Sequence, residues 1–313
     1  MSVPGTKGCI MARIEFGWMP PVGGDNQARP EFMANLRRGL ATIAGHFDSV
    51  WFPDHLQFED HPFLEGWTTL TYLAALEPRL KVGHIVLCQL FRNPALLAKM
   101  AATLQYVSEG NFVMGIGAGW QEEECKAYNI PYPGPGQRVE ELDEALQIMK
   151  ALWREDHVTF EGKYHRVTNA FCQPKPEPIP PIMVAAFQPR MLRVVARHAD
   201  WWNIGFSDLE KTRDLVNKLD EACRAVGRDP KTIRRTAMIG CYCAPNERKL
   251  KELTDKHRGP FGLGLVGTPA QVIEQFKPII DLGFDYFMVS GGGFPDTTTL
   301  EMLAHEVLPA LNS

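Results

Sequence analysis

Apolar residues along this chain alternate between two patterns. Short runs that are apolar almost throughout occupy residues 14–19, 49–53, 80–87, 111–117, 182–186, 202–206, 236–243 and 285–290. Between them lie residues 94–108, 138–154, 190–198, 208–226, 269–282 and 298–311, where apolar positions recur three and four apart. The first pattern is that of a strand buried on both faces, the second that of an amphipathic helix. Asn93-Pro94, Ser207-Asp208 and Thr268-Pro269 each set a capping residue at or just before a proline or a helical turn. Eight strands alternating with helices predict a (β/α)8 TIM barrel, an α/β fold that needs roughly 250 residues. A doubly wound sheet is the competing architecture and would require fewer strands and a reversal of strand order.

The surplus length falls after strand four. Residues 130–137 carry three prolines and two glycines, which forbids regular structure and makes a shaped loop. VTFEGKYHRV, beginning at Val158, reads as a hairpin turning at Glu161-Gly162. QPKPEPIPP, residues 173–181, predicts an extended polyproline-type connector into strand five. The chain therefore reads as a single TIM-barrel domain over 1–313, with an N-terminal tail at 1–12 and an insertion of loop, helix and hairpin at 130–181.

Composition narrows the function. The 313 residues carry a formal charge of −4 with both signs dispersed, so the surface offers no handle for nucleic acid. The first ten residues contain no apolar signal-like core and no run approaches the ~18 apolar residues of a membrane span, which predicts a cytoplasmic protein. Seven cysteines, without CxxC spacing, suit reduced thiols, and the nine histidines show no helix-borne metal pair. The expected partner is a small molecule, and no metal is expected.

The segment 111–138, NFVMGIGAGWQEEECKAYNIPYPGPGQR, concentrates the candidate chemistry. Gly117, Ala118 and Gly119 leave the backbone bare at a strand end, where α/β barrels bind ligands. Trp120 occupies the place of the third glycine of a dinucleotide fingerprint and argues against one. Of the carboxylates Glu122, Glu123 and Glu124, most solvate a helix start and one, assigned as Glu123, lines the pocket. Strand two ends in Asp54 and His55, a histidine suited to general acid–base work beside a carboxylate that could orient it; the competing reading is a loop cap and a surface residue. Ile85, Val86 and Cys88 form an apolar wall for a flat ring, with His84 the one member capable of acid–base chemistry. Arg92 reads as a structural partner of a carboxylate, and Trp18 and Trp120 as aromatic flanks of a substrate pocket. After strand five, Ala185 and Ala186 are small, and a helix opening at Pro189 could present its amides, with Arg190, to a phosphate. No GxSxG elbow is present, which disfavours covalent hydrolysis.

WTTLTYLAALEPRLKVGHIVLCQLFRNPALLAKMAATL, GIGAGWQEEECKAYNIPYP, RVEELDEALQIMKALWREDHVTFEGKYHRV, QPKPEPIPPIMV and LRVVARHADWWNIG, in that order, resemble the luciferase-like monooxygenase superfamily, and within it the coenzyme F420-dependent oxidoreductases. The resemblance covers about residues 13–291. It implies a barrel, often dimeric, that binds a deazaflavin or flavin at its C-terminal rim. It places His55 beside the ring's reactive carbon with Asp54 next to it, and a non-proline cis peptide at Ile85-Val86. It also places the cofactor phosphate after strand five, where Phe187 and Gln188 stand in place of glycines. An acidic residue of the superfamily's sugar-phosphate dehydrogenases is replaced by Trp120, so that substrate class is not implied. The leading expectation is hydride exchange between F420 and an organic substrate. Next comes an FMN-dependent monooxygenase fed by a reductase, and third a cofactor-free binding or structural homologue.

Overall fold

The computed structural model describes residues 13–24, 27–255 and 262–313; the expected tail at 1–12 lies outside the described residues. Eight strands form the barrel: β1 Glu15–Trp18, β2 Ser49–Phe52, β3 Lys81–His84, β4 Phe112–Gly117, β5 Ile182–Ala185, β6 Trp201–Gly205, β7 Arg234–Cys243 and β8 Phe284–Gly291. Each pairs in parallel with its sequence neighbours, and β8 pairs with β1, so the sheet closes and the doubly wound alternative is excluded. The main helices outside are α1 Arg29–Ile43, α2 Gly66–Leu76, α3 Pro94–Val107, α4 Pro135–Arg154, α5 Pro189–His198, α6 Leu209–Ala225 and α7 Pro269–Ile280, followed by a C-terminal helical run from Thr298. No described helix is long and apolar enough to cross a membrane.

Strand alternation sorts the side chains. Phe16, Trp18, Val50, Phe52 and Val82 face outward into the core shared with the helices. Trp51, Val113, Met183, Tyr286 and Met288 fill the barrel interior. The Trp51 indole fits there because Gly17 and Gly83 lack side chains. A Cβ on either would stand within 2.4 Å of the ring. Below it, Arg234 closes the N-terminal end. Its guanidinium bonds Asp285 at 2.8 Å, pairs with Glu15 at 3.3 Å, and lies over the rings of Tyr286 and Trp201 at 4.7 and 5.2 Å.

The insertion contains the expected hairpin, Val158–Glu161 against Arg166–Ala170. Its turn wraps Glu144 of α4, whose carboxylate accepts from the amides of Lys163, Tyr164 and His165. The connector departs from expectation. It bends at 173–174 and 177–178, where both X-Pro bonds are cis, rather than running as a continuous polyproline rod.

Candidate active site

A cavity of about 730 Å³ opens at the C-terminal ends of the strands. Its wall on the β3 side is Ile85, Val86, Leu87 and Cys88, and the Ile85-Val86 peptide is cis, as the resemblance implies. Gly117, Ala118 and Gly119 lie against that wall. A Cβ on Gly117 would come within 3.0 Å of Val86 Cγ2. On Gly119, at φ +80°, it would come within 2.8 Å of the Cys88 sulfur. The bare backbone of β4 therefore brings two strand ends into contact beneath an apolar surface. Burial pushes the Cys88 thiol up to about 12, so it stays protonated and serves as packing. Asn203, Gly205 and Met238 complete the inner wall.

His55 lines the cavity, but its carboxylate partner is not the expected one. The Nδ1 atom is 2.9 Å from Glu124 Oε1, and the other oxygen of Glu124 accepts the Leu56 amide at 2.8 Å. Glu124 is 2% exposed, so the loop after β2 is pinned to a buried carboxylate on the short helix Glu122–Ala127. Asp54 does not touch His55 in this way. It takes a bidentate pair from Arg92 at 2.7 and 2.9 Å and accepts the Cys88 amide at 3.0 Å. Arg92 also reaches Glu65 at 2.7 Å. Burial would lower its proton affinity, but the two carboxylates outweigh that and hold it above the ordinary value. Both residues of the Asp54-His55 pair line the cavity, but the Asp54 oxygens are taken up by Arg92 and the Cys88 amide.

Two further expectations are corrected. Glu123 is exposed and does not line the cavity; Glu122 pairs with Lys126 on the solvent face, and the inward carboxylate of the three is Glu124. Trp18 is 1% exposed and packs on Gly39 of α1 and the Phe294 ring, away from the cavity. Trp120 does stand at the mouth, 60% exposed. His84 faces outward, stacked on Trp67 at 5.0 Å.

On the opposite side, Ala185, Ala186, Phe187, Gln188 and Arg190 all line the cavity. Phe187 is half-exposed at the mouth. Neither Gln188, which precedes α5, nor Gly134, which precedes α4, caps its helix with a side chain, and the first residues of both helices, Pro189 and Pro135, line the cavity on this side. Arg138 and Arg190 bring positive charge there. Arg138 lies 4.0 Å over the Tyr132 ring and donates to the Pro133 carbonyl. Sequence reasoning missed Glu124, Asn203, Met238 and Arg138. Only Glu124 left a local signal, as the third of three carboxylates following the glycine-rich strand end.

The sequence profile of the luciferase-like monooxygenase family matches residues 15–261. This chain belongs to that family. The F420-dependent glucose-6-phosphate dehydrogenase of Intrasporangium calvum is 29% identical over 306 residues, covering 85% of this chain and 90% of that protein. Among solved structures, an F420-dependent secondary alcohol dehydrogenase in complex with an F420-acetone adduct superimposes with a TM-score of 0.82 at 21% identity, covering 96% of this chain and all of that one. The oxygenating constituent of 3,6-diketocamphane monooxygenase from Pseudomonas putida, in complex with FMN, does so with 0.79 at 18% identity, covering 95% and 99%. At these identities the structural likenesses establish the barrel fold.

Proposed function

We propose that this protein is an F420-dependent oxidoreductase that exchanges hydride between the deazaflavin and an organic substrate. The observation that carries the reading is the placement of His55, anchored by buried Glu124, at the edge of the apolar Ile85-Val86 wall. The cavity suits a flat ring with an anionic tail. Its wall is apolar, the β4 backbone beside it is bare, and uncapped helix starts with Arg138 and Arg190 stand on the far side. The F420 relatives add support from sequence. When bound, F420 supplies two-electron hydride chemistry at a ring carbon and, unlike FMN, does not sustain reaction with dioxygen.

The protein's own part is orientation and proton transfer. Ile85, Val86 and Met238 hold the ring and exclude water. Glu124, accepting from Nδ1, fixes the imidazole and leaves Nε2 to meet the substrate. Neutral His55 then takes a proton at Nε2, and its imidazolium form gives one. Asp54 and Arg92 hold the strand ends that carry these groups.

Titrating the purified protein with F420 and with FMN, following quenching of each fluorescence, tests the cofactor. F420 is expected to bind in preference. Preference for FMN would move the protein to the oxygen-using alternative with its reductase, and binding of neither would mean Phe187 and Gln188 close the site. His55→Ala is expected to lower turnover by about 10²-fold or more while F420 affinity stays nearly unchanged. Unchanged turnover removes His55 from the reaction. Glu124→Gln should shift the pH profile of turnover, which loss of packing alone would not do.

A further inference from the structure

A second cavity, of about 570 Å³, lies between the segment that follows Cys88 and the first turns of α4. It shares no lining residue with the barrel cavity. Tyr132 lines this one, while Arg138, 4.0 Å over its ring, lines the other. Phe91, Pro94, Pro131, Tyr132 and Pro133 give the second cavity apolar walls, and Glu141 is the one carboxylate of its lining. Prolines and aromatic rings have few rotamers to lose, so such walls hold their shape without a ligand.

Glu141 is half-buried and is held by amides alone. Its carboxylate accepts from Gln137 Nε2 at 2.8 Å and from Gln89 Nε2 at 3.2 Å. Gln89 is only 5% exposed, so a buried amide is committed to keeping this carboxylate in place. Both partners are neutral. The neighbouring acids of the same helix have cations, Glu140 in Lys163 and Asp143 in Arg197, but among the described residues no ion pair reaches Glu141. Arg92, the arginine of the lining, is already shared by Asp54 and Glu65 and cannot neutralise a third carboxylate. Arg138, one turn before Glu141, donates to the Pro133 carbonyl instead. A second polar atom of the wall is also unmet: His165 Nε2, turned from solvent in the hairpin turn, has no hydrogen-bond partner among the described residues. A carboxylate partly withdrawn from water and left with its charge attracts a cation that brings its own N–H donors. Among the described residues no group of three or more His, Cys, Asp or Glu could hold a metal ion, which points to an organic cation.

We propose that this cavity is a second ligand site, for a small primary amine bound as its ammonium ion. The ammonium donates to Glu141, and an apolar body lies against Tyr132 and the prolines on either side of it. The volume is that of a small-molecule site. Because the two cavities have no residue in common, the proposal stands apart from the hydride-transfer reading and survives its failure.

The test titrates three compounds of one shape into the full-length protein by calorimetry at low salt: phenethylammonium, its neutral analogue 2-phenylethanol, and the anion phenylacetate. Phenethylammonium is expected to bind at one site per chain, and the other two about tenfold more weakly or not at all. Glu141→Gln keeps the shape of the side chain and removes its charge. Gln137→Lys, at an exposed position, sets an ammonium of the protein's own four residues before Glu141. Each should weaken phenethylammonium about tenfold, while Glu140→Gln, next to the site but paired with Lys163, leaves it unchanged. Should Glu141→Gln fail to fold, Gln137→Lys decides. The proposal is overturned if 2-phenylethanol binds as tightly as the amine, if amine binding withstands Gln137→Lys, or if no binding is seen at about 10 mM, where a site with a Kd of about 1 mM would be nearly full.

Discussion

Two histidines near the ends of neighbouring strands meet opposite surroundings. His55 turns toward the cavity with a carboxylate on Nδ1, whereas His84 turns outward into the core. Neither ring nitrogen of His84 reaches hydrogen-bond geometry with a partner, and the ring lies stacked on Trp67 and edge-on to Phe112. Burial lowers its proton affinity well below the ordinary histidine range, the Arg92 cation lowers it further, and only the Gly66 backbone nearby opposes this. His84 is therefore neutral in the folded protein but takes a proton near pH 6.5 when unfolded. Below that pH the unfolded chain binds the extra proton, so stability falls as pH drops from about 6.5 toward the folded value, by at most about 1.4 kcal/mol per pH unit. Urea unfolding at pH 7.5 and 5.5 checks this. His84→Phe, which keeps an aromatic ring in the slot, should show a smaller loss on acidification than the parent, and an equal loss would count against His84. His198, also lowered by burial, acts in the same sense in both proteins. The sequence held a clue to the orientation of His84. Gly83 must face the Trp51 indole inside the barrel, and period-two alternation then sends Val82 and His84 outward.

At the scale of elements, the boundaries written in capping chemistry were the readable ones. Asn93 accepts the Ala95 and Leu96 amides and Asp208 accepts that of Lys211, as the sequence predicts, while at Thr268 it is the Gln271 side chain that accepts the Thr268 amide. The start of α2 was not readable, because its cap is Glu65, a residue outside the usual set, which accepts the Trp67 and Thr68 amides while also bonding Arg92. Through Arg92, the end of β2, the turn after β3 and the first turn of α2 form one ionic unit. Asp54, whose side chain is fully buried, depends on it. Arg92→Met should cost about 3–5 kcal/mol by leaving that carboxylate buried without its cation. A loss below about 1 kcal/mol in urea unfolding would show that water or a rearranged partner replaces the guanidinium.

For the whole molecule, the strand-helix rhythm carried the fold, because eight short apolar runs buried on both faces leave few architectures besides a closed parallel barrel. The site was legible only in outline. His55 meets Glu124 across 69 positions and Asp54 meets Arg92 across 38, and nothing local in either segment names its partner until the barrel closes. The same closure has a kinetic consequence. With Arg234, Tyr286 and Trp201 stopping the N-terminal end, the cavity opens, among the described residues, at the strand ends. On the proposed hydride-transfer reading, a ring lying on the Ile85-Val86 wall sits deeper than a substrate that reaches His55 from the mouth, so the cofactor is expected to enter first and leave last. Product-inhibition kinetics should then show a compulsory order, with the two cofactor forms competing for the free enzyme. A random-order pattern would mean that the ring and the substrate reach their places by separate ways.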